Sequence, residues 1–386
     1  MRRIPALALS TGIEMSFTLG IGCNIRKSPY FDATVADGVR SFSVYNHMYI
    51  PAHFGDPQAE YERLTSGVVM WDVAAQRQVE LLGPDAAKLV EYLCARDVSG
   101  TAIGQGRYVP ICNHDGILIN DPVLLKLSDE QFWLSIADSD IELWAGAIAA
   151  ERGLDVRVSE PDVSPLAVQG PKAETLIAEL FGDWIHELKY FWFRDSSLQG
   201  IPLLLARSGW SKQGGFELYL RDGARGQELW DIVRAAGAAF DIGPGAPNDI
   251  ERLESGLLSY GADARAQTQP ANPFELGLGK LVDLERDADF IGKQALLRVR
   301  AQGIERRLSG FVIAGDPVPG SQHPVALMQH DVRVGSISEM AYSPRLRQNI
   351  AIGMVSNSIP DDAANLTVAI GDTLRDATIA GLPFLR

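Results

Sequence analysis

The chain of 386 residues carries 35 lysines and arginines against 49 aspartates and glutamates, a formal net charge of −14. With 46% hydrophobic and 22% charged residues it has ample apolar material for large cores, which excludes a disordered or fibrous chain. The acidic balance argues against a general nucleic-acid binder, since phosphate binding needs clustered lysine and arginine. An anionic small ligand can still be held by one or two local cations.

The length suggests two or three domains. Cys23, Cys94 and Cys112 are too few and too scattered for a disulfide framework, no CxxC pair occurs, and the six histidines show no paired ligand spacing. No metal is therefore expected, and a reducing cytoplasm is the natural compartment. The segment Met1–Ser10 mimics the start of a signal peptide, but its apolar run is short and Glu14 soon interrupts it. No stretch of about 18 apolar residues predicts a membrane span.

In chain order, residues 1 to about 38 read as an irregular leader with basic residues at Arg26 and Lys27, and globular texture begins near Ser41–Tyr45. An internal repeat follows. Residues 79–93 (VELLGPDAAKLVEYL) and 166–180 (LAVQGPKAETLIAEL) each predict a strand, a Gly-Pro turn and a helix. Pro84 and Pro171 are expected at the first helical position, where a missing N–H costs nothing. Leu89, Val90 and Leu93, like Leu176, Ile177 and Leu180, form the stripe of a core-facing helix. Each copy is followed by a further strand and helix, at Phe132–Ile136 and Ile141–Ala150, then at Phe216–Leu220 and Gly226–Ala236. That order predicts two related α+β units, each with helices over one face of an antiparallel sheet. From Leu297 onward short alternating runs, such as Leu308–Ile313, Val332–Ile337 and Ile350–Val355, are separated by turn residues and predict a small β-barrel or sandwich.

Four places bear chemistry-capable groups. Residues 208–217 (SGWSKQGGFE) form a glycine-rich turn running into a strand that carries Glu217. A carboxylate there needs donors, which a flat heterocycle with adjacent N–H groups or a salt bridge in an ordinary hairpin would supply. Residues 249–261 (DIERLESGLLSYG) predict a helix ending at Gly261, with Arg252 either in a bidentate contact or, with Glu251, an ordinary surface charge. Tyr108 precedes a hairpin whose turn lies near Asp115-Gly116, and Asn120-Asp121 is expected on the returning strand roughly opposite Tyr108. Asp121 is there either as a functional group or as a bonded structural one. The aromatics Tyr190-Phe191-Trp192-Phe193, with Trp184 and Trp210, either box a cation or form core. Gly277-Leu278-Gly279 lacks the rest of a phosphate loop, and no GxSxG elbow occurs.

Taken together, these segments resemble the folate-dependent aminomethyltransferase (glycine-cleavage T-protein) family from about Tyr45 to Val355. The resemblance is carried by Trp71-Asp72-Val73, Gly116–Val123, Val168-Gln169-Gly170-Pro171, Ser208–Glu217, Glu251–Gly261 and Phe290-Ile291-Gly292-Lys293. Tyr45-Asn46-His47-Met48, Ile136–Asp140, Ala206–Glu217 and Leu257–Gly261 look most similar to the branch that demethylates dimethylsulfoniopropionate. The resemblance implies an α+β, three-domain cloverleaf: 39–75 with 162–248 as one α+β domain, 76–161 with 249–295 as the second, and 296–386 as the C-terminal β domain. It implies tetrahydrofolate as methyl acceptor, Glu217 as its pterin-binding glutamate, Arg252 and Trp210 as further folate contacts, and Tyr108 and Asp121 at the reacting nitrogen. Trp192 and Asn120 are expected at the methyl donor. Asn120 stands where aminomethyltransferases carry an acid, and Trp210 where they carry tyrosine.

The implied activity is transfer of a methyl group from a sulfonium donor to N5 of tetrahydrofolate by a monomer or homodimer, with no nucleic acid or membrane involved. The alternatives are a folate-dependent O- or N-demethylase, a glycine-cleavage-type aminomethyltransferase, and a non-catalytic folate-binding regulatory protein. Fold alone does not choose among them.

Overall fold

Both copies of the glycine–proline repeat become a strand, a tight turn and a core-facing helix in the computed structural model, which describes residues 21–321 and 323–385. Strand Gln78–Leu82 leads to helix Ala86–Leu93, and strand Ser164–Gln169 leads to helix Ala173–Phe181. Leu89, Val90, Leu93, Leu176 and Ile177 are buried, as the apolar stripe requires. The prolines correct the expectation. Pro84 and Pro171 stand in the turns, two residues before each helix begins, because the turns close first, through Ala86 N–H to Gly83 O (3.0 Å) and Ala173 N–H to Gly170 O (2.9 Å).

The chain forms two compact units. One contains the residues up to Gln76, Asp162–Gly209 and Gln213–Asn248; the other contains Arg77–Pro161, Trp210–Lys212 and the residues from Asp249 onward. In the first, a six-stranded sheet runs in the order Phe193–Leu198, Ile201–Ala206, Gly215–Leu220, Ser164–Gln169, Val69–Asp72 and Gly243–Gly245. All neighbours are antiparallel except the last pair. Leu166, Val168, Leu203, Leu205, Phe216 and Leu218 turn one face of this sheet onto helices Ala173–Phe181 and Gly226–Ala236.

The leader is shorter than expected. Helix Phe31–Ala36 follows Tyr30, whose ring lies in the first unit's core and whose hydroxyl donates to the Ser164 carbonyl at 2.9 Å. An aromatic ring committed to the core carries its backbone with it. The signal-like Met1–Ser10 segment and Glu14 lie outside the described residues.

The second unit holds a five-stranded antiparallel sheet in the order Arg157–Ser159, Gln78–Leu82, Gln131–Ser135, Val123–Lys126 and Gly106–Tyr108, packed on helices Ala86–Leu93 and Ile141–Glu151. It also holds a closed six-stranded barrel: Arg306–Ile313, Gln348–Ser356, Val332–Ser343, Val325–Gln329, Leu366–Ile370 and Thr373–Ala380. Closure removes the open edges that two separate sheets would keep. Phe311, Ile313, Leu327, Ile337, Val355 and Val368 fill its interior.

Helix Asp249–Ser255 lies against this barrel, with Leu253 packed on Ile350 and Ile352 and the buried Glu254 accepting from Ser343 Oγ at 2.5 Å and Arg345 Nε at 2.9 Å. It ends earlier than the sequence suggested. Gly256, at φ 62°, supplies the left-handed residue that stops a helix, and Leu257 N–H folds back to Arg252 O at 3.0 Å. No described helix is long and apolar enough to cross a membrane.

Candidate active site

Tyr108 ends strand Gly106–Tyr108 and faces Val123 across the ladder. The expected hairpin follows, Ile111–Cys112 pairing with Leu118–Asn120, and Asn113 Oδ1 closes its turn by accepting from the Asp115 and Ile117 N–H groups at 3.0 Å each. Asp121 is not on the returning strand. It falls in the break between Leu118–Asn120 and Val123–Lys126, where no ladder directs its side chain, and it receives the Tyr108 hydroxyl on Oδ2 at 2.7 Å.

Burial pushes the Asp121 carboxyl up to about 7, and the negative charge of Asp263 adds to that while the bond from Tyr108 opposes it. Burial first, then the charge of Asp121, holds the Tyr108 phenol well above its usual range. At neutral pH the pair is thus a neutral phenol donating to a carboxyl poised to gain or lose one proton.

Asn120, expected to touch the donor, is turned inward. It is 0% exposed. Its amide donates to Ala137 O (2.9 Å) and Ser139 Oγ (2.8 Å) while Oδ1 accepts from Ala137 N–H (3.1 Å). Both amide hydrogens are spent holding the 137–139 turn, so this side chain positions backbone, while its neighbour Asp121 turns to Tyr108. Asp138 within that turn pairs with Arg265 at 2.8 Å.

Arg252 is neither a surface charge nor accessible to a ligand. It is 1% exposed. Its two terminal nitrogens straddle Asp263, at 2.8 Å to Oδ2 and 3.4 Å to Oδ1, and one also donates to Leu257 O at 3.0 Å. The bidentate contact foreseen for Arg252 thus exists, but with an internal carboxylate. Asp263 was missed in the sequence: it lies two residues beyond Gly261, past the stretch read as a helix, and nothing in its neighbours marks it as inward-facing.

In the first unit, Glu217 sits within strand Gly215–Leu220 opposite Ala167 and Ala206 and is 7% exposed. Its Oε2 accepts from the Ser208 hydroxyl and, at 3.1 Å, from the Tyr219 hydroxyl. Its Oε1 takes no donor from the described residues. Burial raises the carboxyl from its ordinary value, against the pull of those two hydroxyls. Among the described residues no cation partners it, so the salt-bridge alternative falls away and an acceptor oxygen remains for an N–H-bearing ligand. That acceptor fits the pterin of tetrahydrofolate.

The two motifs around Glu217 lock together. Gln169 Nε2 donates to Ser208 O at 3.0 Å and Phe216 O at 3.3 Å. Gly215 lies so close to strand Ser164–Gln169 that a Cβ would stand 2.4 Å from the Val168 carbonyl oxygen, at a φ of 150°. Gly215→Ala is therefore expected to destabilise the protein by about 2 kcal/mol, read as a drop in thermal midpoint; an unchanged midpoint would show that the loop has room to shift.

The aromatics separate. Phe193 is buried, Trp192 packs partly buried on the first unit's core, and Tyr190 is exposed. The cation over Trp184 is the chain's own Arg194, 4.5 Å from the ring centroid. Trp210, in the second unit, donates from Nε1 to Leu258 O at 3.4 Å. Tyr108, Asn120, Asp121, Trp210 and Arg252 thus share the second unit, whereas Trp192 and Glu217 belong to the first.

Comparison with known proteins extends the account. The family profile described as GCVT N-terminal domain matches residues 30–286, and that of the glycine cleavage T-protein C-terminal barrel domain matches residues 306–385. The chain is 41% identical over 355 residues to dimethylsulfoniopropionate demethylase DmdA of Ruegeria pomeroyi, covering 92% of this chain and 96% of that one. It is 30% identical over 367 residues to an aminomethyltransferase of Thermotoga maritima, covering 94% and 98% of the two chains. The solved structure of glycine cleavage system aminomethyltransferase T from Bartonella henselae matches with a TM-score of 0.80 at 21% identity, over 94% of this chain and 98% of that one. This last likeness establishes the α+β fold with its C-terminal barrel.

Proposed function

The chain belongs to the glycine cleavage T-protein family of folate-dependent enzymes, and we propose that it moves a methyl group from dimethylsulfoniopropionate to N5 of tetrahydrofolate, releasing methylthiopropionate. That the protein is a tetrahydrofolate-using enzyme of the demethylase or aminomethyltransferase type follows from its relatives. The choice of donor is supported by one observation above the others, the 41% identity to a dimethylsulfoniopropionate demethylase along nearly the full length of both chains.

Tetrahydrofolate supplies a secondary amine, N5, as the nucleophile. The N5–C bond forms as the C–S⁺ bond breaks, and the sulfur leaves as a neutral thioether with its electron pair. The N5 proton must then go to a base. Asp121 is that base: half-buried, close to neutrality in proton affinity and fixed by Tyr108. A sulfonium leaving group needs no acid, so the site needs only a base and good positioning. Glu217 holds the pterin through Oε1, with Ser208 and Tyr219 fixing its orientation. Trp210, in the same unit as Asp121, offers an aromatic face for the sulfonium cation. Arg252, being buried against Asp263, does not itself contact folate.

Asp121 must be ionised to accept a proton, and its carboxyl titrates at about 7. kcat/KM for the donor is therefore expected to fall about tenfold per unit as pH drops below about 7, and to level off above it. The rate profile between about pH 5.5 and 8.5 checks this; a flat profile would remove Asp121 as the base. The donor itself is tested by identifying the folate product formed from each of several one-carbon donors.

A further inference from the structure

Asp263 stands beside the Tyr108–Asp121 pair: its neighbour Ala264 packs in one cluster with Leu118 of the strand leading to Asp121, and Arg265, two residues on, holds Asp138 of the turn that Asn120 fixes. Its charge there raises the proton affinity of both groups, yet it hydrogen-bonds to neither. Its carboxylate is held from three directions. Arg252 of helix Asp249–Ser255 donates at 2.8 and 3.4 Å, the Ser259 N–H at 2.9 Å, and Ser338 Oγ of barrel strand Val332–Ser343 at 2.6 Å. Both side chains of the ion pair are sealed from solvent, at 1% exposure for Arg252 and 0% for Asp263. An ion pair so buried adds little net stability, because desolvating two charges costs about as much as their attraction returns, and apolar residues would pack the space as well. Stability alone therefore does not account for it.

We propose that Asp263 is a positioning residue for methyl transfer: clamped by Arg252, Ser259 and Ser338, it holds a fixed negative charge beside the Tyr108–Asp121 pair. This rests on the reading of Asp121 as the base. The other groups facing that pair are few. Tyr260 is buried and lies in the field of Asp121, with Arg265 and Asp138 paired beyond it. Arg96 donates to the Tyr108 carbonyl oxygen at 2.9 Å. Asp249 and Glu339 lie in the field of Arg252, and Asp249 also in that of Asp263. Among the described residues Asp263 is thus the buried charge that raises the proton affinity of Asp121, and Arg252, paired with it, moderates it. The two members of the pair should therefore push the proton on Asp121 in opposite directions.

The test is the pH dependence of kcat/KM in the wild type, Asp263→Asn and Arg252→Gln. The acid limb is expected to move down by about one pH unit in Asp263→Asn and up by a similar amount in Arg252→Gln. A purely structural role would lower rate or stability in both and leave the limb in place, and a limb unmoved in Asp263→Asn would overturn the inference. If either single variant fails to fold, as a lone buried charge can cause, the double variant Asp263→Asn/Arg252→Gln carries the test. It leaves no uncompensated charge, and its limb is expected to lie lower than the wild type's by about half a unit because the nearer charge is gone; an unshifted limb overturns the inference there too. A wild-type profile without any limb would instead refute the role of Asp121, and the inference with it.

Discussion

Asp121→Asn is expected to lower kcat about 1000-fold while leaving tetrahydrofolate affinity within about twofold. Asparagine keeps the volume and can still accept the Tyr108 hydroxyl, which now reaches Asp121 at 2.7 Å, so the local fold is retained. What it loses is a lone pair able to take a proton. Positioned general bases contribute about 100- to 10,000-fold, and a half-buried carboxyl raised to about 7 belongs in that range because its proton affinity matches the working pH. The acid limb of the rate profile should vanish with it. Tyr108→Phe is milder: it removes one hydrogen bond and frees the carboxylate to wander, an effect nearer tenfold. An Asp121→Asn variant with wild-type kcat would show that the N5 proton leaves by another route.

Glu217→Gln is expected to raise the dissociation constant for tetrahydrofolate about 100-fold, with kcat at saturating folate falling less than tenfold. Glu217 presents an acceptor oxygen without a protein partner, at the end of a carboxylate whose other oxygen is held by Ser208 and Tyr219. A charged acceptor meeting N–H donors contributes about 1.5–3 kcal/mol. Glutamine either turns its own NH₂ toward those donors or surrenders the bonds from Ser208 and Tyr219. Burial disfavours the charged form of Glu217, so the neutral replacement should leave thermal stability unchanged or slightly improved. Titration calorimetry separates the two effects. Unchanged folate affinity in a folded Glu217→Gln would remove this residue as the pterin anchor.

Most of the architecture was legible because it is written in local chemistry. The duplicated glycine–proline turn and its apolar stripes announced two related α+β units, and the short apolar runs after Leu297 announced the barrel, although strand Gln348–Ser356 is buried along almost its whole length rather than on alternate residues. Glu217 stood out as a carboxylate at the start of a buried strand, after a glycine-rich turn. The parts that escaped depend on long-range packing. Residues Glu251–Ser255 are all buried, so the helix that carries them shows no polar face to read, and its charges looked like surface ones. The partner of Arg252, Asp263, is 11 residues away, across a turn with no periodicity. Gly256 rather than Gly261 ends that helix through its left-handed φ of 62°, and it faces Pro383, whose Cα a Cβ would meet at 3.1 Å, a neighbour no local pattern reveals. Asn120 and Asp121 are adjacent and equally polar; only the break in the strand sends one inward and the other to Tyr108.

The central claim is the identity of the one-carbon donor and of the bond that is made. It is tested most directly by anaerobic incubation of the enzyme with tetrahydrofolate and, separately, dimethylsulfoniopropionate, glycine betaine, dimethylglycine, a methoxybenzoate, and glycine with the other glycine-cleavage components. The folate product is read by mass spectrometry. The account predicts 5-methyl-tetrahydrofolate, with methylthiopropionate in equal amount, from the sulfonium compound alone. Formation of 5,10-methylene-tetrahydrofolate, methyl transfer only from an ether or an amine, or folate binding with no transfer from any donor would contradict it.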